Sequence, residues 1–214
     1  MSLFNNIDTN KATTLLNGSP LNKPKKTGMN IPIAPGAVWE PSVPRFTKGR
    51  KYQTLTEVIG EVKPNETLWG VTAGAWSHHD LLYYIISKYG PVHLCAATWT
   101  IGNKVVEKLM QLVREKQILS SHFLFDRQIK MQKQKAYHLI NAQKELNVGL
   151  ANLHAKVTVI FNDQIELTYM GSQNWTSNPR VEVFVLSTIP AVAEFNKKWI
   201  MELHSKSDKF DVNI

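Results

Sequence analysis

Apolar positions fall into runs and periods that alternate between strand and helix from about residue 68 onward. Residues 68–72 read as a short strand, followed by Ala73-Gly74-Ala75 as a turn. Ser77 can cap a helix over 78–88, which Gly90-Pro91 ends. Residues 92–99 form an apolar run rich enough to be a central strand. Helical spacing follows over 103–116 through Val105, Val106, Leu109, Leu112 and Val113. A strand over 118–125 and a helix over 127–146 complete this half. Short connections between alternating strands and helices predict a sheet with parallel members covered by helices. The later half changes rhythm. Strands over 157–161 and 165–170 flank Asn162-Asp163, a hairpin turn, and a further strand covers 181–187. A helix over 189–205 closes the domain, with Pro190 in its first turn and Val192, Phe195, Trp199 and Leu203 along one side. The fold class expected is α/β, a mixed sheet between helices.

Residues 1–50 differ from this pattern. Asn, Thr, Lys and Gly dominate, and prolines stand at 20, 24, 32, 35, 41 and 44. Lys23, Lys25, Lys26, Lys48 and Arg50 make the segment basic. The expected division is therefore a basic, partly flexible leader over 1–50 and a compact domain over 51–214. At 43% hydrophobic residues, the chain can bury a core. Twenty-five Lys and Arg against seventeen Asp and Glu give a net charge of +8, which favours polyanionic partners: nucleic acid or an anionic membrane surface. Cys95 is the only cysteine, which excludes an intrachain disulfide and a cysteine-rich zinc site. It lies in an apolar run, as a buried thiol does, and suits a reducing, cytoplasmic setting. No long apolar leader and no run of membrane-spanning length is present, so neither export nor stable membrane insertion is expected.

The candidate chemistry sits on the late strands. In an extended backbone, His154 and Lys156 of His154-Ala155-Lys156 point to the same side. One can touch a phosphate oxygen while the other attacks phosphorus or takes a proton. Downstream, Gly171-Ser172-Gln173-Asn174 allows close backbone approach at Gly171 and offers a hydroxyl at Ser172 and amide donors at Asn174. Such a set can converge on a tetrahedral anion without a metal ion. Ser172 and Asn174 can also simply make the turn after a strand, and Glu182 can pair with Arg180.

The arrangement resembles the phospholipase D superfamily, whose motif is His-x-Lys, four residues and Asp, then Gly-Ser-x-Asn about a strand later. The match runs from His154 to Asp163 and from Tyr169 to Thr176, with Glu182 similar to the glutamate often found beyond the Asn. The likeness is strongest over 150–187. Three departures stand out. Phe161 holds the place of the Asp, Asp163 comes two residues later, and Arg180 stands where relatives commonly carry Asn. A single motif copy is present. The resemblance implies a phospholipase D-like mixed sheet with helices on both faces. It also implies a homodimer whose two His154 side chains meet in one cleft. One would form a covalent phosphohistidine, and the other would protonate the leaving oxygen and then activate water. Lys156 and Asn174 would hold the non-bridging oxygens, Ser172 would donate nearby, and Glu182 would orient a histidine ring. No cofactor and no metal ion are implied.

Ser77-His78-His79-Asp80 reads as a helix start rather than a metal site, because adjacent helical residues diverge by about 100°. Arg127, Lys130, Lys133, Lys135 and Lys144 form a basic stretch able to track a nucleic-acid backbone or to face solvent. Trp175, beside Asn174, is a candidate to line the cleft, with core packing as its alternative. Trp99 ends the central strand, a common place for cleft residues in layered α/β folds. The expected function is a metal-independent, low-specificity endonuclease, with DNA ahead of RNA as partner. A catalytically idle nucleic-acid-binding module and a lipid phosphodiesterase are the alternatives.

Overall fold

The computed structural model describes residues 36–40, 45–48, 55–143, 145–177 and 180–209. Ten strands form one sheet: β1 (Gly36–Glu40), β2 (Arg45–Lys48), β3 (Thr67–Val71), β4 (Val92–Thr98), β5 (Ile118–Asp126), β6 (Asn147–Ala151), β7 (Lys156–Phe161), β8 (Glu166–Gly171), β9 (Val183–Ser187) and β10 (Asp208–Lys209). Their order is β10-β6-β5-β4-β7-β8-β9-β3-β1-β2. β4, β5 and β6 run parallel, and the remaining pairings are antiparallel. Six helices accompany them: α1 (Leu55–Ile59), α2 (His78–Tyr89), α3 (Asn103–Arg114), α4 (Ile129–Gln132), α5 (Gln134–Asn141) and α6 (Pro190–Ser205).

Helices cover both faces of the sheet. On one side Leu94 and Ala96 of β4 join a core with Leu81, Leu82 and Ile85 of α2, Val105, Val106 and Leu109 of α3, and Ile140 of α5. On the other side Cys95 and Ala97 of the same strand meet Ala193 and Ile200 of α6. A strand buried on both faces is apolar along most of its length, which is why residues 92–98, polar only at His93 and Thr98, lack the alternation of an exposed sheet. Cys95 is buried as expected, and burial pushes its thiol up to about 12.

Several elements depart from the sequence pattern. The expected helix over 127–146 breaks into α4 and α5, with Lys133 leaving helical geometry between them (φ −138°, ψ 50°). Residues 130–135 are all exposed, so no buried contact holds that stretch in one continuous helix. β6 has no counterpart in the hydrophobic pattern. It contains Gly149 and a single β-branched residue, Val148, and exists because it pairs with β5 on one side and β10 on the other. α6 centres its buried face on Ala193, Asn196, Ile200 and His204, with Trp199 and Leu203 of the expected stripe packed at its margin, while Phe195 is 67% exposed. Residues 36–40 and 45–48, inside the segment expected as a leader, supply β1 and β2 beside β3. Residues 1–35, with Lys23, Lys25 and Lys26, lie outside the described part, as do Arg50 and Lys144.

Candidate functional site

One edge of the sheet gathers the residues of interest, and strand register explains how. Thr98 pairs with Lys156, Val157 with Met170, Gly171 with Phe184, and Val71 with Val183. The C-terminal ends of β3, β4 and β8 therefore lie level with the starts of β7 and β9. The parallel strands add the end of β5 through Thr98 beside Phe125. The N-termini of α2 and α3 follow β3 and β4 directly, so their positive dipole ends lie on this same edge.

His154 is exposed in the loop between β6 and β7, and Lys156 is the first residue of β7. The Lys156 ammonium donates to the His154 carbonyl at 2.8 Å and lies 3.4 Å from both imidazole nitrogens. Partial burial lowers the Lys156 pKa, and the neighbouring Glu182 carboxylate opposes that shift. The loop is fixed from below by Asp126, a residue that the sequence pattern did not single out. Its buried carboxylate accepts from Leu153 N and Gln128 N, each at 2.9 Å. The available signal was a lone acid closing the apolar run Phe123-Leu124-Phe125, where a buried charge requires hydrogen-bond partners.

The second segment follows β8. A Cβ on Gly171 would stand 2.6 Å from the carbonyl oxygen of Val183, so the crossing of β8 and β9 admits only glycine there. Ser172 then closes the ladder. Its N–H donates to Val183 O and its hydroxyl accepts from Val183 N, both at 3.1 Å, while the same hydroxyl donates to the Glu182 carboxylate. The Glu182 carbonyl accepts from Thr72 N at 2.9 Å, which ties it to the end of β3. Gln173 points inward, taking the Tyr169 hydroxyl and donating to the Trp76 carbonyl, both at 2.9 Å. Asn174 comes next, its amide oxygen buried without a hydrogen-bond partner. The backbone beyond it is anchored by Gly102 N donating to Trp175 O at 2.8 Å.

The structure thus joins His154 to Lys156 and Ser172 to Glu182, and it couples Lys156 to Glu182 through their charges. Asn174 occupies the same loop as Ser172. Trp175 is no cleft residue: it is fully buried, with its ring against Phe123 and His78. A side chain three positions after an outward-facing Ser172, in a loop pinned to the start of α3, turns into the core instead. Trp99 is the aromatic beside the histidine, with ring centroids 5.5 Å apart. His78 begins α2 and is buried, whereas His79 approaches Asp80 at 3.7 Å. Among the described residues no group of three His, Cys, Asp or Glu is placed to hold a metal ion.

Two of the three departures from the expected motif, Phe161 and Asp163, lie away from this edge, whereas Arg180 stands two residues before Glu182. Phe161 is at the far end of β7, roughly 17 Å from Lys156 at about 3.3 Å per residue. It stacks on His93 at 5.3 Å, with the Lys197 ammonium 4.8 Å from its ring centre. Asn162, not Asp163, organises the hairpin: it accepts from Gln164 N and Ile165 N and donates to the carbonyls of Tyr89 and Pro91. Asp163 is exposed in the turn.

A sheet of mixed direction with this edge geometry defines the fold class, and solved structures share it. NucT from Helicobacter pylori matches with a TM-score of 0.50 at 16% identity, covering 62% of this chain and 90% of its own. Nuc from Salmonella typhimurium, described as a phospholipase D family member, also matches with a TM-score of 0.50, at 14% identity, covering 67% of this chain and 97% of its own. At such identities the likeness is one of fold: an α/β, phospholipase D-like mixed sheet with helices on both faces. No protein-family profile and no curated protein matches the chain by sequence. Among the described residues no helix is long and apolar enough to cross a membrane.

Proposed function

We propose that this chain is a metal-independent phosphodiesterase of low sequence specificity, acting on nucleic acid, with DNA ahead of RNA. The observation that carries the reading is the Lys156 ammonium lying 3.4 Å from the His154 imidazole nitrogens at an exposed sheet edge, with the Ser172–Glu182 pair in register beside it. A cation against a nucleophile-bearing ring suits an anionic phosphorus centre: it neutralises the oxygens that otherwise repel the attacking nitrogen pair. The distance of Phe161 and Asp163 from that edge supports retained chemistry, because neither of these two departures reaches the His154–Lys156 pair.

In the proposed reaction the site is completed by a second copy of the chain. One His154 nitrogen forms a bond to phosphorus while the bond to the leaving oxygen breaks, and that oxygen takes a proton from the second His154. Water then attacks the phosphohistidine and gives a proton to the second imidazole. The phosphorus–nitrogen bond breaks, and a phosphate monoester leaves. Lys156 and Asn174 hold the non-bridging oxygens, Ser172 donates nearby, and Glu182 orients an imidazole ring through its second nitrogen.

The test is incubation of the purified protein with labelled single- and double-stranded DNA and RNA in excess chelator, beside His154→Ala. The expected outcome is chelator-resistant products that vanish in the variant. Tight binding without products would favour a nucleic-acid-binding module, and undiminished cleavage by His154→Ala would reject the nucleophile.

A further inference from the structure

Trp99 is half-buried yet, among the described residues, belongs to neither core cluster of the sheet. A tryptophan carries more apolar surface than any other side chain, and the accessible part of one that lies outside both cores is open to a stacking partner. Its position is specific. It directly follows Thr98, the partner of Lys156, and its ring centroid is 5.5 Å from that of His154 at an interplanar angle of 58°. Basic groups flank it along the same edge. Lys104 is exposed in the first turn of α3, and Arg127, Lys130 and Lys133 are exposed around α4, which follows β5 at the neighbouring strand end. The acids nearby are engaged: Asp126 is buried under the His154 loop and Glu182 holds Ser172.

The geometry points to Trp99 as a stacking platform for the nucleobase adjoining the phosphate at His154, with the strand leaving over the basic surface of α4, so that single-stranded nucleic acid is the preferred ligand. This rests on the reading of the His154 edge as a phosphodiester site. In a duplex each base is already stacked and paired, and reaching Trp99 requires pulling one out; in a single strand the base is free to stack. An aromatic face accepts any base, which fits recognition without sequence readout. Lys130 of α4 and Lys133 just beyond it add backbone attraction that does not depend on bases.

The experiment measures binding of fluorescent oligothymidylate, of an abasic strand of equal length, and of a matched duplex to the full chain carrying His154→Asn in chelator. Oligothymidylate is expected to bind about tenfold more tightly than the abasic strand, the equivalent of stacking one base. Trp99→Ala should erase that difference while leaving abasic binding unchanged, and Trp99→Phe should restore most of it. Lys130→Glu with Lys133→Glu should weaken both strands equally and flatten the salt dependence. Oligothymidylate binding unchanged by Trp99→Ala, abasic binding equal to oligothymidylate, or a duplex bound more tightly than either would overturn the platform. Binding of both strands unmoved by the lysine changes would overturn the route over α4. An unmutated protein that cleaves nothing but keeps Trp99-dependent binding defeats the phosphodiesterase reading alone. One that cleaves single strands and duplexes equally, without dependence on Trp99, defeats the stacking site alone.

Discussion

At the residue scale, two buried groups couple the folding of this edge to its chemistry. Asp126 accepts one backbone N–H from each side, Gln128 and Leu153, and so sets the path of the chain at the residue just before His154. Asp126→Asn replaces one acceptor with an NH2 that faces a backbone N–H, at a cost of about 1–3 kcal/mol for the buried mismatch. Chemical denaturation should show that loss. Turnover should fall more than substrate affinity, since the basic surface is untouched while the imidazole is less well placed. His78 gives a pH signature. Its imidazole packs against Tyr169 and Trp175, and burial pushes its pKa from 6.5 down to about 3, with His79 lowering it further and the Gln173 backbone opposing. The unfolded chain takes up a proton at this residue below about 6.5, whereas the folded chain does so only near 3. Stability from this group is therefore complete above the upper value and lost as pH falls through the interval, by up to about 1.4 kcal/mol per pH unit. Urea unfolding of His78→Phe between about pH 7 and 5 should show a slope shallower by one proton than the unmutated chain.

At the scale of elements, α6 shows how packing selects among faces that look alike in sequence. Val192, Phe195, Trp199 and Leu203 form an apolar stripe, and Ala193, Asn196 and Ile200 form a mixed stripe rotated by about one residue. The second is buried because small Ala193 lets the helix approach β4 and β7, and because Asn196 satisfies itself by donating to Val192 O at 2.8 Å and accepting from Trp199 at 2.9 Å. Ile200→Ala should cost about 2–5 kcal/mol, the range for emptying a core site. Phe195→Ser should change stability by no more than about 0.5 kcal/mol, because its ring is already in water. Thermal or urea unfolding of the two variants side by side checks both values, and equal losses would show that the faces had been misassigned.

At the scale of the whole molecule, the proposed reaction needs a nucleophile and a separate proton donor, and each chain offers a single His154. If two chains build one cleft, a mixed population of unmutated and His154→Ala chains loses activity faster than it loses active chains. At equal proportions and random pairing about a quarter of the activity should remain, against about a half if each chain works alone. Activity measured after unfolding and refolding the mixture separates the two. Solution mass gives an independent check: a species of one chain that retains full activity would remove the symmetry requirement and demand an acid from within the chain.

Periodicity determined the class of fold and most of its elements, because burial on one or both faces of a strand or helix writes itself into the order of apolar residues. It also supplied the candidate site. His154 with Lys156, and Gly171 through Asn174, are local patterns whose spacing survives in one dimension. Tertiary structure alone decided the rest, since each feature depends on a neighbour remote in sequence. β6 is a strand by virtue of β5 and β10, and α4 and α5 divide where no core lies beneath them. Trp175 turned inward and Trp99 was left beside His154 for the same reason: the place of a large ring is set by the volume that other segments leave free. Asp126 beneath the loop, and Ser172 against Glu182, are hydrogen bonds between strand ends brought level by register. A linear pattern contains the residues for such contacts but not the distances that make them.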